Sequence, residues 1–199
     1  MSQATFSFEQ LSPAAQAKAL DVCRDINTSD ELWYEQLNES SLDVFLETLG
    51  FEDPKIYFSL AYCQGDYAEL NSARFHYNKG FVKQIKAEFP TWTKAHEMAE
   101  QLQDICKRYF YGYSFSVVNG RTCDIEHKRL GTDWQHDISA FESEIDDFMD
   151  DLNSMLYNAY RDEYETLTSD ENVKANLIDQ DHQFFADGTD KKTVYANAA

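Results

Sequence analysis

The sequence has few basic side chains and no long apolar run. Its 17 Lys and Arg residues face 36 Asp and Glu residues, so the net charge is −19 at pH 7. Nucleic acid and anionic membranes are therefore poor direct partners for the acidic surfaces of this chain. No segment approaches the ~20 apolar residues of a membrane-spanning helix, and the N-terminal residues lack the pattern of a secretory signal. We expect a cytoplasmic protein that does not bind a membrane.

The sequence has only four cysteines, and their spacing does not match a known paired motif. Cys23, Cys63, Cys106 and Cys123 are far apart, and none forms a CxxC motif of the zinc or redox type. The sequence also lacks the GxxxxGK[ST], GxGxxG and GxSxG motifs of phosphate binding, dinucleotide binding and nucleophilic catalysis. These absences favour reduced thiols and a protein that is not an enzyme. We predict no cofactor and no metal.

The composition nevertheless supports a folded core, because 43% of the residues are hydrophobic and 15% are aromatic. We expect a single domain over residues 1–190 and a flexible tail over 191–199. Helix boundaries are predicted from caps, glycine and proline. The predicted helices run from Ser12-Pro13 to about Ile26, from Thr28–Asp30 to Gly50, over Gly80–Phe89, over Thr91–Tyr109 after the break at Pro90, and from Ser169 onward. In the first of these, Leu11, Ala15, Ala19, Val22 and Ile26 are expected on the buried side.

Two hairpins are predicted between these helices. One joins Ile56–Tyr62 to Tyr67–Tyr77 through a turn at Gln64-Gly65-Asp66. The other joins Tyr113–Val118 to Arg121–His127 through Asn119-Gly120, a dipeptide that tolerates positive φ at both turn positions. The predicted fold class is therefore α+β, with one small antiparallel sheet of about four strands packed against several helices.

A long acidic helix is predicted over about 133–166, because apolar residues recur there in steps of four and three. This seam comprises Trp134, Ile138, Phe141, Ile145, Phe148, Leu152, Met155 and Ala159. We expect the seam to hold the helix to the body of the protein or to a second copy. A final helix is expected to begin at Ser169, with Asp170 and Glu171 in its first turn.

Charge is segregated along the chain. Residues 1–73 hold 13 acidic and 3 basic side chains, residues 74–131 hold 6 and 10, and residues 132–181 hold 15 and 2. The predicted long helix carries eleven carboxylates, about one per 4.5 Å of axis, against one phosphate per ~3.4 Å along a DNA strand. The natural complement is a positively charged protein that itself binds nucleic acid. The candidate partner-binding residues are Asp137, Glu144, Asp146, Asp147, Asp150, Asp151, Asp162 and Glu163.

Several other interpretations stay open. The acids could form only a solvated helix surface, and the Asp146–Asp151 segment also contains the DDxxD spacing of a magnesium-diphosphate site. His96 and Glu100 are four apart, but the HExxH zinc motif is incomplete. If the second hairpin folds over the start of the long helix, a metal or acid–base cluster could form from Asp124, His127 and His136. Cys63, beside Gln64-Gly65-Asp66, could be a nucleophile at a strand end.

Two segments resemble a known family. Residues 56–68, IYFSLAYCQGDYA, resemble the YFSGFxSQGDGAxF segment of small uncharacterised proteins from tailed bacteriophages and prophages. Residues 160–173, YRDEYETLTSDENV, and FFADG at 184–188 resemble the C-terminal part of the same family. This chain departs from the family pattern at Leu60, Cys63 and Tyr67, where the family has Gly, Ser and Gly. The larger side chains at Leu60 and Tyr67 disfavour a small-ligand pocket.

The resemblance implies a phage origin, an α+β fold and a host bacterial cytoplasm, but no reaction. Small acidic phage proteins often act on host defence proteins. The leading hypothesis is therefore an acidic, DNA-mimicking inhibitor of a host nucleic-acid-binding protein, such as a restriction or CRISPR nuclease. One alternative is a small phage enzyme with a site near Cys63-Gln64-Gly65-Asp66. Another is a homodimeric regulatory or antitoxin-like protein in which the apolar seam pairs two copies.

Overall fold

The computed structural model describes residues 4–29, 32–37, 41–60, 64–127 and 138–191. The fold is α+β, with a four-stranded and a two-stranded antiparallel sheet. The elements in chain order are β1 (Phe6–Ser7), a short 3-10 helix (Phe8–Gln10), α1 (Pro13–Val22), α2 (Leu32–Leu37), α3 (Asp43–Leu49), β2 (Phe51–Ser59), β3 (Tyr67–Phe75), α4 (Phe81–Glu88), α5 (Thr93–Arg108), β4 (Tyr113–Val118), β5 (Arg121–His127), α6 (Ile138–Leu167), α7 (Asp170–Asp179) and β6 (Gln183–Phe184).

The chain divides into two compact units. Unit 1 comprises residues 1–35 and 162–199, and unit 2 comprises residues 36–161. The single domain predicted over residues 1–190 stays a prediction. The described part of unit 2 contains the four-stranded sheet, and that of unit 1 contains the two-stranded sheet.

The sheet of unit 2 has the strand order β2-β3-β4-β5, so its strands are neighbours in sequence and in space. The predicted Asn119-Gly120 turn is confirmed, because φ is +50° at Asn119 and +72° at Gly120. Strand β2 begins at Phe51, five residues earlier than predicted. It contains Pro54, which is tolerated because β2 is an edge strand with an irregular register between Glu52 and Ile56.

Aromatic residues form the centre of the core of unit 2. The rings of Phe75 and Phe115 are stacked with centroids 4.8 Å apart, and Phe51 lies 5.4 Å from Phe75. Helix α6 adds Phe141, which stacks on Tyr113 at 4.4 Å. The sheet and the long helix therefore share one apolar core.

The predicted seam of the long helix is buried within unit 2. Phe141, Ile145, Phe148, Leu152 and Met155 are at most 6% exposed. Because these side chains are buried inside the chain, the seam holds α6 to the body of unit 2 and is not available to a second copy. Ile138 departs from the pattern, because it is 47% exposed at the first residue of α6. Trp134 and residues 133–137 of the predicted helix lie outside the described residues.

Parts of the second predicted helix, from Thr28–Asp30 to Gly50, lie outside the described residues. Its described parts are helical: they comprise α2, a π-helical turn at Ser41 and Leu42, and α3. The predicted stop at Gly50 is confirmed, because this residue adopts φ +109° after α3.

Unit 1 has its own core, formed by α1, α7, the 3-10 helix and the short strands. The N-caps are as predicted: Ser12 Oγ accepts a hydrogen bond from the Ala15 amide, and Ser169 Oγ accepts one from the Asn172 amide. Pairing of β1 with β6 was not predicted, because strands of two residues have no usable periodicity. The buried cluster contains Phe8, Leu11, Ala15, Ala19, Cys23, Val173, Leu177 and Phe184.

Helix α1 is shorter than predicted, and Val22 is 50% exposed, so its expected place on the buried side is wrong. Side chains after the helix instead bind the backbone of a distant segment of unit 1. The Arg24 guanidinium donates to the Thr168 carbonyl at 3.0 Å, and the Asn27 amide donates to the Leu167 carbonyl at 2.8 Å. These bonds favour turns at 23–28 over further helix.

A clasp between α1 and the C-terminal loop makes the stability of unit 1 depend on pH. The Lys18 ammonium lies 2.7 Å from Asp187, and the Thr189 amide and hydroxyl also donate to this carboxylate. These donors lower the pKa of Asp187 from 3.8 to about 2. Because the folded pKa is lowered, the clasp stabilises the fold above pH 4 and is lost as the pH falls towards 2.

We therefore expect the urea midpoint of the native protein to fall more steeply between pH 4 and pH 2 than that of Asp187→Asn. Circular dichroism across this pH range measures both curves. The conservative change keeps the size of the side chain and removes its titration. Parallel curves for the two proteins would contradict a stabilising role for the ionised clasp.

Candidate functional site: the outer face of the long helix

Helix α6 is held in unit 2 from two sides. The Asn153 side chain accepts a hydrogen bond from the Leu70 amide at 2.9 Å and donates to the Gly120 carbonyl at 3.2 Å. On the α5 side, the Tyr109 hydroxyl donates to Glu144 at 3.0 Å. The side of α6 between these two attachments faces away from the core.

Four carboxylates of α6 are exposed within unit 2, and we call them the acidic face: Glu142, Asp147, Asp150 and Asp151. Asp147 and Asp150 form no ion pair or hydrogen bond with the described residues. Asp151 accepts a hydrogen bond from the neutral Gln101 side chain at 3.3 Å, so its charge is kept. The acidic face is therefore an uncompensated negative surface on the described part of unit 2.

Glu144 and Asp146, which were also predicted to bind a partner, have different surroundings. Glu144 is half-buried and lies 2.5 Å from the Arg108 guanidinium, so its charge is compensated within the chain. Asp146 is half-buried, and its Oδ1 atom is buried without a hydrogen-bond partner. Glu144 and Asp146 therefore do not belong to the acidic face.

The other predicted partner-binding residues lie elsewhere. Asp162 is exposed and Glu163 is half-buried, and both belong to unit 1. Asp137 lies outside the described residues. The carboxylates of α6 are also unevenly spaced, because residues 152–161 contain none. The average spacing calculated over the whole helix therefore understates the charge density between Glu142 and Asp151.

A groove adjoins the acidic face. It has a volume of about 520 Å³ and lies between the start of β3 and α6. Its lining is polar and aromatic: Asp66, Tyr67, Ala68, Asp150, Asn153, Ser154, Tyr157 and Asn158. Asp150 belongs both to the groove and to the acidic face, so the two features are continuous.

The family comparison covers this whole region. A family model described as a domain of unknown function, DUF8835, matches residues 33–170, more than two thirds of the chain. The chain belongs to the DUF8835 family. The match includes all of unit 2, with the acidic face and the groove, whereas β1 and β6 lie outside it. No curated protein matches the chain, and no solved structure matches it.

The other candidate catalytic and metal-binding residues of this DUF8835 protein do not form a reactive site among the described residues. Gln64 and Gly65 are exposed in the turn after β2, while Cys63 lies outside the described part. His96 Nε2 donates a hydrogen bond to the Phe89 carbonyl at 2.8 Å, whereas Glu100 binds Lys86 at 2.5 Å, so the two side chains do not act together.

No cluster of three or more His, Cys, Asp or Glu side chains suited to a metal ion occurs in the described ranges. The DDxxD segment is included in this finding, as are Asp124 and His127. His136 lies outside these ranges. None of the described helices is long and apolar enough to cross a membrane.

The described cysteines of the DUF8835 chain are free thiols. Burial, with a further contribution from Asp190, raises the pKa of Cys23 to about 11. Burial and the neighbouring Asp124 raise the pKa of Cys123. A nucleophilic cysteine requires the opposite shift, so neither thiol is activated.

Sequence reasoning missed the groove, although one signal was present. Asn153, Ser154, Tyr157 and Asn158 occur in the part of α6 that has no carboxylates. Neutral polar and phenolic side chains replace acids at positions that face outward. The sequence does not reveal that the start of β3 lies beside them, because residues 66–68 and 150–158 are more than 80 positions apart.

Proposed function

We propose that this DUF8835 protein is a phage-encoded inhibitor that acts in the bacterial host cytoplasm. Its acidic face binds a positively charged, nucleic-acid-binding protein of the host and occupies the site of the polyanion. A defence nuclease of the restriction or CRISPR type is the target class that we infer from the resemblance to phage proteins. In this role the protein is not an enzyme and requires no cofactor.

The density of exposed charge on α6 supports this proposal. Four exposed carboxylates occur between Glu142 and Asp151. Glu142 and Asp151 are about 14 Å apart along the axis, so the four exposed charges are separated on average by about 4.5 Å. Phosphates recur at ~3.4 Å along a DNA strand. A basic channel evolved for phosphates would therefore meet a similar density of negative charge along this helix.

The rigidity of the acidic face also supports binding. The apolar side of α6 is buried in the core of unit 2, and Asn153 fixes the helix to the sheet at Leu70 and Gly120. Carboxylates on a fixed helix lose little further freedom when a partner binds. The net charge of −19 adds a long-range field that attracts a basic partner and weakens as salt increases.

The test is competition with DNA for a captured host protein. The immobilised full chain is exposed to bacterial lysate at low salt, and the proteins released at high salt are identified and purified. A captured nucleic-acid-binding protein is then titrated with fluorescent duplex DNA in the presence of the DUF8835 chain. We expect the chain to displace the DNA.

A neutralised variant and a matched control make the test specific. Glu142→Gln/Asp147→Asn/Asp151→Asn should require at least about tenfold more protein to displace DNA, since several exposed charge pairs together amount to this factor. The control Glu47→Gln/Asp53→Asn/Glu88→Gln removes the same charge from exposed positions of unit 2 outside α6. It should compete like the native chain. Equal competition by both variants, or capture of no nucleic-acid-binding protein at low salt, would reject the proposed function.

A further inference from the structure

The groove beside the acidic face has two walls of different origin. Asp66, Tyr67 and Ala68 form the wall at the start of β3, and one side of α6 from Asp150 to Asn158 forms the other. Hydrogen bonds of Asn153 to Leu70 and Gly120 attach the second wall to the sheet near the first. The width of the groove is therefore set by the fold of unit 2.

The lining of the groove is suited to a cation with a planar shape. The exposed Asp150 supplies negative charge on the helix wall, and Asp66 lies on the wall formed by β3. The Tyr67 ring, which is 44% exposed, supplies a surface on which a guanidinium can stack. The Asp150 carboxylate would repel a phosphate. The chemistry of the lining thus favours a basic protein side chain over a nucleic acid.

One wall already contacts a cation of this kind. The Arg161 guanidinium carbon lies 5.8 Å from the centre of the Tyr157 ring. Arg161 is the only basic residue in α6. This contact shows that the Tyr157 ring, placed as it is, accepts a guanidinium group within cation–π range.

We propose that the groove binds an arginine side chain of the protein partner. The inference rests on the proposed function and specifies it: the acidic face attracts a basic surface, and the groove selects one arginine from that surface. Arginine fits better than lysine, because a planar guanidinium can stack on a phenol ring and donate to the Asp150 carboxylate at the same time. A lysine ammonium is a point charge and gains less from the ring.

The experiment is an amide chemical-shift titration of the isotope-labelled full chain. The probe is the peptide Ac-Gly-Arg-Gly-NH2, and the comparison peptides carry lysine or the neutral isostere citrulline in place of arginine. With arginine we expect shifts at residues 66–68 and 150–158. Lysine should bind several-fold more weakly, and citrulline should leave these signals unchanged.

Two variants of the same helix separate the groove from the general negative surface. Asp150→Asn removes a charge-assisted hydrogen bond to the guanidinium, so the peptide should bind about tenfold more weakly. Asp147→Asn removes the same charge from an exposed position outside the groove and should change the affinity less than about twofold. The spectra also report whether each variant is folded.

Three outcomes would overturn the inference: equal shifts with citrulline, equal losses in the two variants, or shifts located elsewhere in the chain. The titration uses no host protein, so its failure leaves the DNA competition result intact. Conversely, the arginine peptide could bind while no nucleic-acid-binding protein is captured. That result would support arginine binding by the groove and reject the proposed function as a polyanion mimic.

Discussion

Gly50→Ala is expected to lower the free energy of unfolding of unit 2 by at least about 3 kcal/mol. Gly50 ends α3 with φ +109° and leads directly into β2. A Cβ atom at this position would lie 2.3 Å from the His76 carbonyl oxygen. The His76 amide also donates to the Gly50 carbonyl at 2.9 Å, so neither backbone segment can move without losing this bond. Urea unfolding followed by circular dichroism measures the loss.

Gly80→Ala is the matched control for this change. Gly80 has a similar positive φ of +91°, but a Cβ atom there would have no neighbour within 4 Å. Gly80→Ala therefore introduces the backbone strain without a steric clash. It should lower the free energy of unfolding by about 1–2 kcal/mol. The difference between the two variants measures the collision with His76. Equal costs would show that close packing at Gly50 does not limit the fold.

Phe141→Ala should destabilise unit 2 by about 3–5 kcal/mol, the usual cost of deleting a large buried aromatic side chain. Phe141 is 1% exposed. The centroid of its ring lies 4.4 Å from that of Tyr113, 5.1 Å from that of Tyr109 and 6.2 Å from that of Phe115. Deletion would leave a cavity between α6 and the sheet. The measurement is the urea midpoint with its slope, since a changed slope would indicate a less compact native state.

Ile138→Ala provides the comparison within the same helix. Ile138 belongs to the same predicted apolar seam, but it is 47% exposed. Its truncation should change the stability by no more than about 0.5 kcal/mol. A large loss at Ile138, or a small one at Phe141, would mean that α6 is not attached to the core as the structure shows. The acidic face would then lack a fixed support.

The capping and turn residues were reliable sequence signals because their effects are local. Ser12, Ser169 and Asn119-Gly120 each act on backbone groups within about four positions, so one short segment contains the whole cause. The α+β class and the four-stranded antiparallel sheet followed from such signals. An error occurred at Val22, because polar side chains just after α1 bind the backbone of a distant segment and favour turns over further helix.

The candidate site was only half predictable. The acids of α6 are visible in the sequence, and Asp147, Asp150 and Asp151 are exposed as expected. The sequence does not show which of these negative charges are neutralised by an ion pair within the chain. Glu144 is paired because Arg108, 36 residues earlier, ends α5 beside it. The same periodic pattern thus contains an exposed charge and a neutralised one, and only the packing partner distinguishes them.

The sequence by itself determined the charge segregation, the two hairpins, the helix caps and the apolar seam of α6. These properties depend on composition and on spacings of a few residues, which act through local hydrogen bonds and helical periodicity. Only the tertiary structure decided that the seam is buried in unit 2, which carboxylates remain uncompensated, and that Asp66 and Asp150 line one groove. Contacts between distant segments arise from how the apolar surfaces pack together, and no local pattern encodes which polar residues that packing places side by side.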